Sequence, residues 1–436
     1  MRVNRQVPES INLDEFKSSL NAIENTLGKK WLENNKGNHP VKRLWSRKDY
    51  LASIELFVLG KAIERINTIE NQIWIKDFKR QIKSQKDSNI QGAAYEAISY
   101  SMYSPEKHSV ALSEPNQPGY DFKVTFDGLD VHVSCKKLQA SDKEKQLKKL
   151  FLDLNDKLEK EFEARKITGV HVFLYSEVCV VSFDIETITN EIFEMIKASR
   201  PLGSSCGYNI ILKSLSCDQT GFDLSNNKIS YQLNLACKFA NDEQTRFENL
   251  FRNATKNIKK HSPKQSLNHF NAIMIGLPSN VSIHTAKSWL ENRFVGNASE
   301  ITFVLLTRCI PATNIKNNTT INSVEVAIVF NPIANAAVVE FGKNKNMFLL
   351  TTPVGVVSCN ESKNVVMSET GEQLDLSEFY AFQKGRFCYQ HINGPIEFNF
   401  NSIPGIEQEV LVDPERKGKY MAISHITPTE HAFELL

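Results

Sequence analysis

Tyr120-Asp121-Phe122-Lys123-Val124-Thr125-Phe126-Asp127-Gly128-Leu129-Asp130-Val131-His132-Val133-Ser134-Cys135-Lys136-Lys137 alternates apolar and polar residues with period two on both sides of Asp127-Gly128. Asp-Gly between two such runs favours a two-residue type I′ turn, because Gly takes a positive φ without a steric penalty. With Asp127 and Gly128 at the turn, Phe126 faces Leu129, Val124 faces Val131 and Phe122 faces Val133, so one side of the hairpin is apolar throughout. The other side then pairs Thr125 with Asp130, Lys123 with His132 and Asp121 with Ser134, and Lys136 lies diagonally beyond Asp121. A carboxylate and an amine meet on a polar face.

Working outward, a helix over about Gln91 to Tyr100 precedes the hairpin and brings Glu96 toward the same end. A charged amphipathic helix over Lys143 to about Arg165 follows it. Strand-like runs at Val170–Leu174, Tyr208–Leu212, Ile229–Ala236, Ala272–Leu277 and Ile301–Leu306 alternate with helical patterns at Glu186–Ala198, Glu243–Lys260 and Thr285–Phe294. That alternation predicts an α/β core with a mixed sheet. Before it, apolar residues at helical spacing (Phe16-Leu20-Ile23-Leu27 and Leu51-Ile54-Phe57-Val58-Ala62-Ile66) form two helical arms around the polar loop Asn34 to Pro40. After Asn331 short strand-like runs dominate, at Ala337–Phe341, Met347–Thr351, Glu397–Phe400 and Glu409–Val412. The division expected is a helical region over 1–88, an α/β domain over 89–335 and a β-rich domain over 336–436.

A carboxylate on one strand, a lysine on the next and a glutamate from the preceding helix suit metal-assisted phosphodiester hydrolysis. Hard oxygen ligands hold Mg²⁺, which clamps the phosphate and lowers the pKa of the attacking water, while the lysine orients that water or stabilises the developing negative charge. Glu96, Tyr120-Asp121 and Ser134-Cys135-Lys136 together resemble the PD-(D/E)xK nuclease superfamily over roughly fifty residues. The resemblance implies a restriction-endonuclease-like mixed-sheet core. It makes Glu96 and Asp121 metal-linked carboxylates, Lys136 the catalytic lysine and the Cys135 carbonyl a further ligand of Mg²⁺ or Mn²⁺. By analogy it also implies a DNA endonuclease in prokaryotic genome defence. Two residues depart from the pattern: Tyr120 replaces a turn-shaping proline, and Ser134 replaces the second acidic ligand. A migrated carboxylate on the following helix would complete such a site, and Asp142, Glu144 and Asp153 are candidates, with Glu144 near in sequence. The alternative is a catalytically silent nuclease-fold module that binds nucleic acid or a protein partner.

Basic residues beside the site would hold a phosphate backbone. Lys137 and Lys143, with Lys145, Lys148 and Lys149, form one stretch, and Lys256, Lys259, Lys260 and Lys264 form a second; acids interleave with the first, as on an ordinary solvated helix. Lys42-Arg43-Leu44-Trp45-Ser46-Arg47-Lys48 sets an aromatic among basic residues, which suits either a nucleic-acid contact or a linker whose Trp45 anchors in the core.

The 436 residues carry 52 Lys and Arg against 50 Asp and Glu, with 41% hydrophobic and 23% charged residues. This is globular composition and excludes collagen, coiled-coil and wholly disordered chains. Residues 1–90 hold 17 basic against 11 acidic side chains and residues 336–436 hold 8 against 13, which is compatible with a polyanion approaching the first part, although composition alone favours an ordinary solvated mixture of charges. No apolar run reaches bilayer length and no apolar leader opens the chain, so a cytoplasmic location with no membrane is expected. The eight cysteines show no zinc spacing. Gly203-Ser204-Ser205-Cys206-Gly207 fits G-x-S-x-G, but a helix and Pro201 precede it and a strand follows, the reverse of a nucleophile elbow. No phosphate-binding glycine fingerprint is present. The flanking regions are candidates for target, partner or homo-oligomer contacts.

Overall fold

The computed structural model describes residues 5–8, 11–34, 39–69, 72–103, 108–113, 119–126, 128–214, 231–262, 269–294, 300–314, 319–332, 350–358, 362–367, 373–391, 402–403, 406–409, 419–425 and 434–436. The strands expected at 337–341, 397–400 and 410–412, residues 347–349 of another, and Asp127 and Lys264 lie outside these.

The N-terminal region folds as α1 (Leu13–Leu27), α2 (Lys29–Leu32), α3 (Pro40–Ser46), α4 (Tyr50–Asn67), α5 (Gln72–Ile82) and α6 (Asp87–Met102). Asn12 caps α1 by accepting from the Asp14 and Glu15 amides, and Asp49 caps α4 by accepting from Ala52 N–H at 3.0 Å. Each satisfies amide donors that a helix start leaves open.

The hairpin follows as β2 (Phe122–Phe126) and β3 (Leu129–Lys137), after the short β1 (Ser109–Leu112). Its register is the expected one, with Phe122 opposite Val133, Val124 opposite Val131 and Phe126 opposite Leu129. Gly128 has φ 79°, which favours glycine.

Beyond it come α7 (Asp142–Arg165), β4 (Val170–Ser176), α8 (Ile185–Lys197), β5 (Leu202–Ser205), β6 (Tyr208–Ser214), β7 (Tyr231–Lys238), α9 (Glu243–His261), β8 (His269–Leu277), α10 (Ile283–Phe294), β9 (Phe303–Asn314) and β10 (Thr319–Phe330). The C-terminal third supplies β11 (Val356–Ser358), β12 (Ser362–Met367), β13 (Gln373–Asp375), β14 (Phe379–His391), β15 (Ser402–Ile403), β16 (Ile406–Glu409) and β17 (Lys419–His425).

Two mixed sheets result. The first has the order β1-β2-β3-β8-β9-β10-β11, with β3, β8 and β9 parallel to one another. The second runs β15-β16-β17-β14-β7-β4-β6-β5, with β4 and β7 parallel and β12 joined to β14. The described strands after residue 335 extend these sheets: β11 joins the first beside β10, and β14 pairs with β7 in the second.

The first sheet is covered on both faces. Phe122, Val124, Val131, Val133, Ala272, Met274 and Leu305 pack on the N-terminal helices, whereas Ile273, Ile275, Val304 and Leu306 share a core with α7, α9, α10 and the second sheet. Burial of each large apolar side chain contributes about 1.5–3 kcal/mol. The polar face of β3, carrying Asp130, His132, Ser134 and Lys136, therefore looks toward the α9 side. No helix among the described residues is long and apolar enough to cross a membrane.

Candidate active site

Asp121 sits one residue before β2, and its N–H donates to the Val133 carbonyl at 2.8 Å, which carries the ladder one step further. Strand alternation then puts its carboxylate on the face of Ser134 and Lys136. Asp121 Oδ2 accepts from Cys135 N–H at 2.5 Å and from Ser134 Oγ at 3.4 Å. Lys136 Nζ lies 3.6 Å from the same oxygen and donates to Ser134 Oγ at 3.0 Å and to the Cys135 carbonyl at 2.8 Å. Both charged groups keep partial access to solvent, with about 30% of the Lys136 side chain and 27% of the Asp121 side chain exposed.

Glu96 comes from α6, which packs on β3. Trp74 Nε1 of α5 donates to Glu96 Oε1 at 3.0 Å. Burial pushes the Glu96 carboxyl up to about 8, the negative charge of Asp121 adds to the rise, and the Trp74 bond and Lys136 oppose it. Asp121 and Lys136 thus form an ion pair beside Ser134, and the charges of both act on the Glu96 carboxyl, whose hydrogen-bond partner is Trp74. Trp74, which holds Glu96, carries no spacing signal in the sequence. The Cys135 thiol points the other way, into the core beneath the N-terminal helices, where burial raises its pKa well above the ordinary range.

Glu144 is placed elsewhere. It lies in the first turn of α7, whose cap Ser141 accepts from Glu144 N–H at 3.0 Å, and its Oε1 accepts from Asn280 Nδ2 at 2.9 Å. Burial, then Glu243, pushes this carboxyl up to about 7, while Asn280 and Arg246 draw it down. The structure groups it with Glu243, Arg246, Asn280 and Tyr380, a buried polar cluster joined by the Tyr380–Glu243 and Arg246–Glu243 bonds. Asp142 is exposed and 3.9 Å from Lys145, and Asp153 is exposed. Among the described residues no group of three or more histidine, cysteine, aspartate or glutamate side chains is arranged to hold a metal ion.

The basic residues divide. Lys137 turns to the face opposite Lys136, where its ammonium donates to the Leu436 carbonyl and stands 5.4 Å from the centre of the Tyr95 ring, so it is engaged inside the fold. Lys143 is exposed and pairs with Asp242 at 3.1 Å. Lys256 and Lys260 are exposed on α9, and Lys259 pairs with Glu300 at 3.1 Å. The end of α9 lies against the approach to Asp121: a Cβ on Gly119 would stand 2.6 Å from Ser262 Oγ and 2.7 Å from the His261 carbonyl carbon. The helix that carries the second basic stretch therefore ends against Gly119, two residues before Asp121.

The rest of the polar strip on β3 is built from paired groups. Lys123 donates to Asp130 at 3.1 Å and Thr125 to the same carboxylate at 2.6 Å. The His132 ring packs 4.5 Å from Tyr120 and 5.9 Å from His269, and burial lowers its pKa. Ser204 and Ser205 lie on the edge strand β5, with Cys206 and Gly207 in the tight turn that leads to β6.

The chain matches no family model, no curated protein and no solved structure.

Proposed function

We propose that this chain is a metal-dependent phosphodiesterase, a DNA endonuclease of the restriction-endonuclease-like type. The observation that carries the reading is the pairing of Asp121 with Lys136 beside Ser134 on the partly exposed polar face of β3, with Glu96 of α6 feeling both charges, in the chain order of the PD-(D/E)xK resemblance. The mixed sheet that places them, and the basic end of α9 next to Gly119, support it.

The chemistry of the donors, two carboxylates and a carbonyl, is that of a hard divalent cation site, although they do not stand in a ligating cluster in this structure. Glu96 and Asp121 present carboxylates that repel each other, a repulsion that helps keep Glu96 protonated near neutral pH and that a cation would relieve. Those two carboxylates and the Cys135 carbonyl would hold Mg²⁺ or Mn²⁺, leaving most positions to water, as Mg²⁺ sites usually do. When bound, such an ion supplies Lewis-acid polarisation of the phosphate and a more acidic water. Lys136, fixed by Ser134 Oγ and the Cys135 carbonyl, orients the attacking water and meets the charge that develops on the phosphate oxygens. Lys256 and Lys260 contact the backbone of the nucleic acid, and a role in genome defence follows only from the family analogy.

A second reading rests on Ser134. With a neutral hydroxyl in the place of an acid and Glu144 held by Asn280, the site has one anionic ligand fewer than the family pattern, which favours a module that binds nucleic acid without cutting it. Incubation of supercoiled plasmid with Mg²⁺ or Mn²⁺ separates the two. Nicking that disappears in Asp121→Ala and in Lys136→Ala supports the enzyme. Salt-dependent binding without nicking under either metal supports the silent module.

A further inference from the structure

Residues Glu434-Leu435-Leu436 occupy a slot whose walls come from α3, α4 and β3. Arg43 donates to Glu434 Oε2 through Nε at 3.1 Å and Nη2 at 2.5 Å, and Arg47 Nη1 donates to Glu434 Oε1 at 3.1 Å. Glu55 Oε2 accepts the backbone N–H of Glu434 at 2.8 Å and that of Leu435 at 2.6 Å. Lys137 closes the far end by donating to the Leu436 carbonyl. Leu435 is fully buried and Leu436 nearly so, both inside the core under the helices. We propose that this slot is a peptide-binding site for an extended segment of the pattern Glu-Leu-Leu, filled in this structure by the chain's own residues 434–436.

Three features support a recognition site rather than incidental packing. The slot reads both the side-chain charge and the backbone of the segment, and two leucines supply the apolar anchor, the division of labour seen in peptide-binding grooves. Its basic wall is braced by contacts that do not involve the segment: Asp49 caps α4 and holds Arg47 through two bonds of 2.9 Å. Charge matches as well. Arg43, Arg47 and Lys137 outnumber the charged acid Asp49, since burial favours the protonated form of Glu55, and Glu434 offsets part of that positive excess. Glu55 is wholly buried with the segment in place, so an emptied slot would leave its Oε2 without the two amide donors it accepts from, a costly state that favours refilling by the same chemistry. The slot residues precede the segment by roughly 300 to 390 positions, so the segment is a ligand in chain terms although it is covalently attached.

The proposal is independent of the nuclease reading, and its test uses binding alone. A fluorescent peptide with the sequence of residues 431–436 is titrated into the chain lacking residues 434–436 and into the intact chain. The shortened chain is expected to bind, the intact chain at least tenfold more weakly, and a peptide carrying Glu434→Ala at least tenfold more weakly than the parent. A folded shortened chain that ignores the peptide, or takes the Glu434→Ala peptide equally well, overturns the proposal. Should the shortened chain fail to fold, the full chain carrying Glu434→Ala replaces it: the parent peptide is expected to raise its Tm with concentration, and no rise overturns the proposal.

Discussion

Replacement of Glu55 by Gln is expected to remove a pH-dependent weakness of the fold. Glu55 lies inside α4 with no exposed surface, and burial together with the nearby charge of Glu434 lifts its carboxyl from an ordinary 4.5 to about 8. The amides of Glu434 and Leu435 and the charge of Arg47 pull the other way without cancelling the rise, and Lys137 faces the same group from β3. Because the folded value lies above the unfolded one, the folded chain holds a proton that the unfolded chain releases. The contribution of this group to stability is therefore complete below about pH 4.5 and is lost as pH rises to 8. At about 1.4 kcal/mol for each unit of difference, the loss reaches roughly 3–5 kcal/mol. Gln keeps an oxygen for the two amides and never ionises. Urea unfolding at about pH 5 and about pH 9 should show Glu55→Gln matching the parent at the lower pH and exceeding it by a few kcal/mol at the higher. If the variant is instead the weaker protein at pH 9, Glu55 is an ionised partner of Arg47, and the reasoning from burial is refuted.

Three further outcomes follow from the geometry. Asp121→Ala and Lys136→Ala should each reduce metal-dependent plasmid nicking by at least about 100-fold, the scale on which a positioned acid–base or electrostatic group acts, with unchanged circular dichroism. Gly276→Ala should destabilise the chain by about 1–3 kcal/mol in chemical denaturation, because a Cβ there would stand 2.5 Å from the Tyr95 ring and 2.9 Å from Lys137 Cδ; nicking should fall with it, since Tyr95 adjoins Glu96 on α6. Asp49→Ala should cost about 2 kcal/mol by removing the α4 cap and the two bonds from Arg47, as read by the denaturation midpoint, and Asp49→Asn should recover part of that loss through the cap alone.

The hairpin was legible in the sequence because its signals are local: period-two alternation and an Asp-Gly turn fix the register, and the register alone puts Asp121 beside Ser134 and Lys136. The helices from α6 to α10 and strands β4, β6, β7, β8 and β9 were legible for the same reason, since each carries its own apolar period. Short β1 and β5 have too few residues to show a period. The pairing of β14 with β7 joins residues more than 140 apart, and no local pattern encodes it. Side-chain partners were less legible than strands. Glu144 looked near enough to the site by spacing, yet its position at the first turn of α7 and its bond to Asn280 tie it to a different cluster. Lys137 read as one more basic residue beside Lys136, but consecutive strand residues point to opposite faces, and the alternation that joins Asp121 to Lys136 sends Lys137 inward.

The parallel pairing of β3 with β8 sets residues 130–137 against 269–276, with α7, β4 to β7 and α8 and α9 between them in the chain. A ribosome releasing this polypeptide has finished Glu96, Asp121 and Lys136 long before β8 exists, so the hairpin waits with one flank unpaired while the intervening unit assembles. Such a naked strand edge invites association with other copies during synthesis. The strand that carries Ser134 and Lys136 is thereby completed only once residues 269–276 have emerged.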